Sequence, residues 1–326
     1  MVSSKTTVFE CFRTYGSDIG RHFDIMFKSS IIAQEIMFIE ELQNIRERIR
    51  SYLDKHTYSE RFEPQVEAAR YVLLNESAKL WRPLLTIAVA RDYGADLKNS
   101  SPISPVVEFV HAASLIEDDI SDKSVLRRGK NSCHIEFGED LAHLAQMYLV
   151  QKAYNLILNE RGSLNLRDEQ KISILKIASE SGINMISGQT KDVKQIDIGN
   201  IEDILRMYEE KSGSLIGLSL ACGGIIGGAS SVDVKILRKL GIAVGVSYQI
   251  VDDVLDNFAS NIETGKPERQ DDGKKTLLKL VGLEKVKELK CSKDREIRSY
   301  LGRLSVTPLY LNEMAIYLHN KNEKYF

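Results

Sequence analysis

Two acidic clusters contain the residues of this sequence whose types and spacing could do chemistry. The first lies in residues 115–129, LIEDDISDKSVLRRG, and the second in residues 248–258, YQIVDDVLDNF. Both have the spacing DDxxD, with aspartates at Asp118, Asp119 and Asp122 and again at Asp252, Asp253 and Asp256. On a helix, the first and last aspartate of such a cluster lie on one face, one turn apart, with the second about 100° around the axis.

The surroundings of both clusters indicate a metal site. A single acidic turn is usually solvated, but each of these clusters is flanked by valine, isoleucine and leucine. An apolar run predicts a largely buried helix, and buried carboxylates need cations. Mg²⁺ prefers oxygen ligands and binds through a few carboxylates together with substrate phosphates and water. The two clusters therefore predict a cavity with facing acidic walls, bridged by Mg²⁺ and a phosphorylated substrate.

Basic and polar residues recur beside these apolar runs. Lys79 and Arg82 lie three apart in KLWRP, at the predicted first turn of a helix, where the helix dipole favours anions. Further candidates are His111, Arg127, Arg128, Lys211, Ser212, Gln249, Lys266 and Lys274. Taken singly, such a residue can be an exposed lysine, a satisfied core histidine or a capping serine. Together they supply the cations and donors that a cavity for two diphosphates requires.

Composition and charge exclude several other classes of protein. The chain has 326 residues, 43% of them hydrophobic, and a net charge of −2, so it has no polybasic face for nucleic acid or anionic lipid. Its four cysteines have no CxxC spacing and its six histidines are dispersed, which predicts no zinc site and a reducing compartment. No apolar run reaches the roughly 18 residues of a membrane span, and the N-terminus lacks a signal-peptide core. We therefore expect a cytoplasmic protein without stable membrane insertion.

Helical periodicity dominates the chain. Helices are predicted near residues 31–54, 64–75, 83–95, 104–125, 138–160, 167–187, 201–210, 213–228, 232–258, 275–290 and 308–321. No loop between them has the composition of a flexible interdomain linker. The sequence therefore predicts an irregular N-terminal extension over residues 1–35 and one all-α domain over residues 36–326.

These motifs together resemble those of the trans-isoprenyl (polyprenyl) diphosphate synthases, over about residues 36–290 of the chain. The first cluster with its following RRG, and the second within YQIVDDVLD, are similar to that family's two acidic motifs. Four shorter motifs are also similar: Lys-x-x-Arg-Pro at Lys79–Pro83, Glu-x-x-His at Glu108–His111, GQxxD at Gly188–Asp192 and Lys-Thr at Lys211–Ser212. The chain departs from the family's usual Gly-Gly at Ser77-Ala78 and from its frequent Ala-Gly-Asp at Ala145-Gln146-Met147.

The resemblance implies a single-domain helical bundle around a deep central cavity, usually a homodimer. It implies a prenyltransferase in which Mg²⁺ assists ionisation of an allylic diphosphate, which isopentenyl diphosphate then attacks. All six aspartates would approach the Mg²⁺ cluster, with Asp118 and Asp122 the first direct ligands expected. The allylic diphosphate would be held by Arg127, Lys211, Ser212, Gln249, Lys266 and Lys274, and isopentenyl diphosphate by Lys79, Arg82, His111 and Arg128. The residues expected to carry the chemistry are Asp118, Asp122, Asp252, Lys211 and Arg127.

Product length is predicted from the helix that carries the first cluster. One turn before Asp118 lie Ala113 and Ser114, which are both small. Family members that stop at farnesyl diphosphate often have aromatic residues there. The growing chain should therefore pass this level, which predicts geranylgeranyl diphosphate or a longer product. The pocket would end deeper, with Tyr148, Tyr154 and Met185 as candidates.

Two other functions fit parts of the pattern. A class I terpene cyclase would keep both acidic clusters but needs no second diphosphate site, which Lys79, Arg82, His111 and Arg128 would form. A carboxylate-bridged di-iron bundle would use Glu108 and His111 as a Glu-x-x-His motif, but that fold needs a second such motif and the sequence has none. Mg²⁺-dependent release of pyrophosphate would separate a synthase from the di-iron bundle.

Overall fold

The computed structural model describes residues 40–96, 104–159, 166–258 and 275–320. The chain divides into two units, Met1–Arg48 and Ile49–Phe326. In the first unit, residues 40–48 are helical. In the described part of the second, the regular elements are helices and one short hairpin. The predicted all-α fold is therefore confirmed, whereas the predicted boundary between residues 35 and 36 stays a prediction.

The second unit begins with residues 49–57, which are helical. In chain order its further elements are α1 (Pro64–Leu73), α2 (Trp81–Asp92), α3 (Val106–Ser121), β1 (Leu126–Arg127), β2 (Lys130–Asn131), α4 (Cys133–Phe137), α5 (Glu139–Asn159), α6 (Asp168–Lys194), α7 (Ile201–Tyr208), a π-helical turn (Glu209–Gly213), α8 (Ser214–Gly227), α9 (Ser231–Phe258), α10 (Leu277–Leu301) and α11 (Leu309–Asn320). Helix α10 is interrupted at Gly282, which has a φ of +74°.

The helix that carries the first acidic cluster is shorter than predicted. It ends at Ser121, and the Asp122 N–H donates to the Asp118 carbonyl at its C-terminus. The chain then forms the hairpin β1–β2, in which Arg127 pairs with Lys130. Two-residue strands are too short to show alternation in the sequence. The hairpin nevertheless matters, because it brings Arg127 back to the end of α3.

Helix α8 lies at the centre of the packing. Every residue from Ser214 to Ile226 is buried. A helix that is apolar on all sides must be surrounded by protein, and α8 packs against α2, α6 and α9. Helix α8 thus supports α2, α6 and α9, which contribute to the cavity described below.

Four glycines let the backbones of the π-helical turn and α8 approach α9 closely. A β-carbon added at Gly245 would lie 2.5 Å from the Gly213 Cα, and one added at Gly241 would lie 2.7 Å from the Gly217 Cα. Ordinary contacts of a β-carbon begin at 3.4 Å, so a side chain at either position would collide with backbone. We call these four residues the glycine seam.

Helix α6 extends to Lys194, seven residues beyond its predicted end. The added two turns bring Asp192 to the cavity described below. None of the helices in the described ranges is both long and apolar enough to cross a bilayer.

Candidate active site

A cavity of about 530 Å³ is lined by α2, α3, α6, α7, α9, the hairpin and the π-helical turn. The predicted site residues that line it are Lys79, Arg82, His111, Asp118, Asp122, Arg127, Arg128, Lys211, Ser212, Gln249, Asp252 and Asp253. Lys266, Lys274 and the side chain of Asp256 lie outside the described residues. The two acidic clusters thus contribute to one cavity, as their sequence context predicted.

The first acidic wall is the C-terminal end of α3. Asp118 and Asp122 line the cavity, whereas Asp119 is buried and does not. One oxygen of Asp119 accepts from Arg127 Nε at 2.8 Å and from Arg127 Nη2 at 2.5 Å. Burial raises the pKa of the Asp119 carboxyl, and its hydrogen bond with Arg127 opposes that rise. The middle aspartate therefore holds an arginine in place at the cavity wall.

The second acidic wall is α9, and its middle aspartate is also engaged within the protein. Asp252 and Asp253 both border the cavity, but Asp253 is only 2% exposed. Its Oδ2 accepts a short hydrogen bond from the Tyr208 hydroxyl and another from the Leu277 N–H at 3.3 Å. Asp253 thus joins α9 to α7 and to the first residue of α10. No pattern in the sequence indicated the role of Tyr208.

Lys211 lies between the two walls, in the π-helical turn. Its Nζ is 2.6 Å from Asp192 and 3.9 Å from Asp118. Burial alone would lower the pKa of Lys211, but the neighbouring carboxylates of Asp118 and Asp192 raise it above its ordinary value. The lysine is therefore a fixed cation at the acidic end of the cavity. π-Helical turns of this kind are frequent at functional sites.

Gly188 permits the close approach of α6 that this arrangement needs. A β-carbon there would lie 2.8 Å from the Lys211 Cα and 2.9 Å from the Glu210 carbonyl carbon. With glycine at this position, Asp192, one turn further along α6, reaches the lysine side chain. The GQxxD pattern in the sequence marked both residues, but it did not reveal that Asp192 holds Lys211. Ser212, next in the turn, donates to Gln249 Oε1 at 2.8 Å.

A second group of basic residues lines the same cavity. It contains Arg82, His111 and Arg128 around the buried carboxyl of Glu108. Burial lowers the pKa of Arg82 to about 10, with Glu108 opposing, so its guanidinium stays charged at neutral pH. Burial and the neighbouring arginines hold the pKa of His111 well below its usual range, so its imidazole is neutral.

Two nitrogens of this basic region have no hydrogen bond. Within the described part of the chain, Arg82 Nε and His111 Nδ1 are buried and make none. Buried polar groups are almost always paired in native proteins. An anion with several acceptor oxygens, such as a diphosphate, would pair with them.

The backbone around the basic region is strained at two positions. Leu80 and Arg128 have φ values of +52° and +54°, and a left-handed conformation costs a residue with a β-carbon about 1–2 kcal/mol. Both residues line the cavity. Such strain clusters at functional sites, where the surrounding structure enforces it.

Lys79 precedes the helix instead of lying in its first turn, because α2 begins at Trp81. The ring of Trp81 lies 5.9 Å from that of Tyr248 and 4.6 Å from the Arg82 guanidinium. The two aromatic rings form an apolar rim between Lys79 and the second acidic wall. Neither ring was predicted to belong to the site.

A second pocket of about 550 Å³ lies between α3 and α6, and we call it the α3–α6 pocket. Ser114 and Met185, two of the residues considered in the prediction of product length, line it. Ala113 does not line it and is buried in the packing instead. Tyr148 is also absent from its walls, and the charges that act on its hydroxyl are those of Glu63 and Arg70, near α1. A role of Ala113 and Tyr148 in product length therefore stays a prediction from the sequence.

The donor set of the catalytic cavity fits Mg²⁺. Asp118, Asp122 and Asp252 offer carboxylate oxygens from facing walls. In the described ranges, no three histidine, cysteine or acidic side chains are already clustered for a metal ion. Mg²⁺ commonly completes its shell with substrate phosphates and water, so partial protein ligation suits it.

Comparisons with known proteins agree with this architecture. The family model described as Polyprenyl synthetase matches residues 63–302. A geranylgeranyl diphosphate synthase of Sulfolobus acidocaldarius is 30% identical over 303 residues, which cover 89% of this chain and 88% of that protein. A geranylfarnesyl diphosphate synthase of Aeropyrum pernix is 32% identical over 228 residues, covering 68% of this chain and 71% of that one.

A solved structure is similar over nearly its whole length. The crystal structure of a geranyltransferase from Helicobacter pylori, complexed with magnesium and isoprenyl diphosphate, superposes with a TM-score of 0.74. The match is 28% identical and covers 87% of this chain and 97% of that chain. The comparisons give no support to a terpene cyclase or to a di-iron bundle. Because the family model covers well over half of the chain, this protein belongs to the polyprenyl synthetase family and is a prenyltransferase.

Proposed function

We propose that this prenyltransferase condenses an allylic diphosphate with isopentenyl diphosphate and releases geranylgeranyl diphosphate or a longer product. The observation that carries the proposal is the presence in one cavity of two regions whose side chains can bind anions. Lys211 and Arg127 lie beside the acidic walls, whereas Arg82, His111 and Arg128 surround Glu108. An enzyme that only ionised one diphosphate would need just the first region.

In this proposal Asp118, Asp122 and Asp252 hold Mg²⁺. When bound, Mg²⁺ neutralises charge that develops on the departing pyrophosphate. Asp119 and Asp253 are not metal ligands in this proposal, because their oxygens already accept hydrogen bonds from Arg127 and from Tyr208. Ligation by Asp256 stays a prediction from the sequence.

The allylic diphosphate binds beside the acidic walls. Lys211 and Arg127 contribute fixed positive charge, and Ser212 and Gln249 contribute polar atoms at the cavity wall. Charge-assisted hydrogen bonds of this kind are about twice as strong as neutral ones. The contributions of Lys266 and Lys274 to the same diphosphate stay predictions.

Isopentenyl diphosphate binds in the basic region formed by Lys79, Arg82, His111 and Arg128. The unpartnered Arg82 Nε and His111 Nδ1 would meet its oxygens. This places its double bond toward the allylic carbon whose bond to oxygen breaks. The π-electrons form the new carbon–carbon bond, and the departing pyrophosphate accepts the proton that is then lost. No side-chain base is required.

Product length follows from the size of Ser114, which leaves the α3–α6 pocket open one turn below Asp118. The names of the two relatives described above, a geranylgeranyl and a geranylfarnesyl diphosphate synthase, support a product of that size or longer.

A homodimer is the oligomeric state we propose. Apolar side chains form exposed stripes on two neighbouring helices: Leu144, Met147 and Leu158 on α5, and Ile172, Ile183 and Ile186 on α6. Exposed apolar patches of this kind commonly mark interfaces between subunits. The cytoplasm as the compartment stays a prediction from composition.

The experiment that tests the function is incubation with Mg²⁺, isopentenyl diphosphate and each allylic primer in turn, followed by sizing of the products. We expect chains of geranylgeranyl length or longer. Asp118→Ala and Asp252→Ala should each lower the rate by about 10²–10³. Asp140→Ala, at an exposed position on α5, is the matched control and should leave the rate unchanged. Cyclised hydrocarbon without any condensation product would refute the proposal.

A further inference from the structure

We infer that Arg50 is a positioning residue for the isopentenyl diphosphate site, because it holds the turn that presents Lys79 to the catalytic cavity. The inference rests on the proposed binding of isopentenyl diphosphate by Lys79. Arg50 lies in the helical residues 49–57 and is not one of the residues that line the cavity. Its effect on the reaction would therefore pass through the backbone that it contacts.

The guanidinium of Arg50 donates hydrogen bonds to three backbone carbonyls of residues 74–80, which connect α1 to α2 and which we call the α1–α2 turn. Its Nη1 donates to the Asn75 carbonyl at 3.1 Å. Its Nη2 donates to the carbonyls of Glu76 at 2.8 Å and Ala78 at 3.0 Å. The donors of a guanidinium have a fixed planar geometry. Three carbonyls that converge on this group therefore keep their positions relative to one another.

The α1–α2 turn also has hydrogen bonds of its own. The Asn75 carbonyl accepts from the Ala78 N–H at 2.9 Å, and Asn75 Oδ1 accepts from the Ser77 N–H at 2.9 Å. These bonds determine the shape of the turn but not its place in the protein. Arg50 determines that place, because its side chain reaches the turn from a separate helix.

Lys79 comes directly after the last carbonyl that Arg50 holds. On its other side is Leu80, which is buried and has a φ of +52°. A left-handed residue of this kind persists only where the surrounding structure enforces it. The backbone of Lys79 is thus held at both neighbours, while its exposed side chain lines the cavity. A lysine stem is flexible, so the position of its backbone decides where the ammonium can reach.

The charge of Arg50 also acts on the basic residues of the cavity. Burial raises the pKa of the Glu108 carboxyl, and Arg50 is one of three arginines whose charges oppose that rise. Burial lowers the pKa of Arg128, and the charges of Arg127 and Arg50 lower it further. The experiment must therefore separate the charge of Arg50 from its hydrogen bonds to the turn.

The test is steady-state kinetics with Mg²⁺ and farnesyl diphosphate as the allylic substrate. Arg50→Met should raise the KM for isopentenyl diphosphate about tenfold, as expected when roughly one charge-assisted hydrogen bond is lost. The kcat should stay near the wild-type value, because binding is lost equally from the substrate and the transition state. The KM for farnesyl diphosphate should not change. Arg50→Lys keeps the charge but lacks the planar fork, so it should retain most of the increase in KM.

A double variant and a matched control distinguish positioning from a general structural role. When Lys79→Ala is already present, Arg50→Met should raise the KM for isopentenyl diphosphate no further, because the ammonium that it positions is absent. Arg70 is the matched control, since it joins α1 to the same helical residues 49–57. It donates to the Asp54 carbonyl at 3.1 Å and forms an ion pair with the Asp54 carboxylate at 2.5 Å. Arg70→Met should lower the midpoint of urea unfolding without changing either KM.

The outcomes separate the inference from the function on which it rests. If the wild-type protein forms no condensation product, the proposed function fails and the inference fails with it. If the protein condenses normally but Arg50→Lys has the wild-type KM, or if the effects of Arg50→Met and Lys79→Ala multiply in the double variant, the inference is overturned and the function stands. Circular dichroism would identify an Arg50→Met protein that does not fold, in which case Arg50→Lys, alone and combined with Lys79→Ala, decides the question.

Discussion

Gly188→Ala should damage the active site although residue 188 contacts no substrate. The added β-carbon would lie 2.8 Å from the Lys211 Cα and 2.9 Å from the Glu210 carbonyl carbon, against 3.4 Å for ordinary contact. Both atoms belong to backbone, so rotation of a side chain cannot relieve the collision. The π-helical turn must therefore move by at least several tenths of an ångström. That movement would displace the Lys211 ammonium, which now lies 2.6 Å from Asp192.

The expected magnitudes follow from the same geometry. Overpacking costs about 1–3 kcal/mol of unfolding free energy, and exchanging glycine for alanine within a helix recovers about 0.5–1 kcal/mol. A misplacement approaching 1 Å at a catalytic group costs roughly 10² in rate. We therefore expect kcat to fall by about that factor, with a net loss of stability of about 1–2 kcal/mol.

The assay compares Gly188→Ala with Gly182→Ala in initial rates and in urea unfolding. Gly182 lies on the same helix, but a β-carbon there would meet only the Tyr154 hydroxyl, at 3.9 Å. That variant should keep the wild-type rate and gain about 0.5–1 kcal/mol of stability. A Gly188→Ala protein with wild-type kcat and stability would refute the reasoning.

Three further predictions concern single side chains. Lys79→Ala should mainly raise the KM for isopentenyl diphosphate, and Lys211→Ala should mainly impair use of the allylic diphosphate. Each variant loses about 1.5–3 kcal/mol of binding free energy from a charge-assisted hydrogen bond. Equal effects of either variant on both substrates would contradict the assignment of two regions. Tyr208→Phe should lower the urea-unfolding free energy by about 1.5–3 kcal/mol, because it removes a hydrogen bond to a buried carboxylate; unchanged stability would show that this bond contributes nothing. Ser114→Phe should shorten the product, whereas Ala113→Phe, which lies in the packed core, should chiefly lower the thermal midpoint. If only Ala113→Phe shortened the product, Ala113 and not Ser114 would be the residue that lines the path of the chain.

The sequence predicted most of the fold and most of the cavity because both leave periodic signals. Apolar residues at helical spacing identified the helices, and the repeated DDxxD spacing identified two facing walls. Charged residues such as Arg82 and Lys211 could be recognised as candidate diphosphate-binding residues from their residue type and their position in the sequence. Their side chains line the cavity as expected.

What the sequence did not reveal depends on partners far apart in the chain. Tyr208 bonds to Asp253 across 45 residues, and no local pattern encodes that pairing. The tight hairpin that returns Arg127 to Asp119 has strands of only two residues. Tyr148 does not line the α3–α6 pocket, and spacing along a helix gives the direction of a side chain only relative to its neighbours. It does not say which face meets the pocket.

The glycine seam fixes the separation of α9 from the π-helical turn and α8 in a manner unlike ordinary side-chain packing. Lys211 and Ser212 precede one half of the seam, and Gln249 and Asp252 follow the other half. Where backbone touches backbone, no rotamer change can absorb a displacement. Sliding one helix along the other would bring a side chain against a main-chain atom, so the two helices have one permitted registration. The span across which a diphosphate must reach is therefore set by the polypeptide backbone, and it should stay constant when the surrounding side chains are repacked.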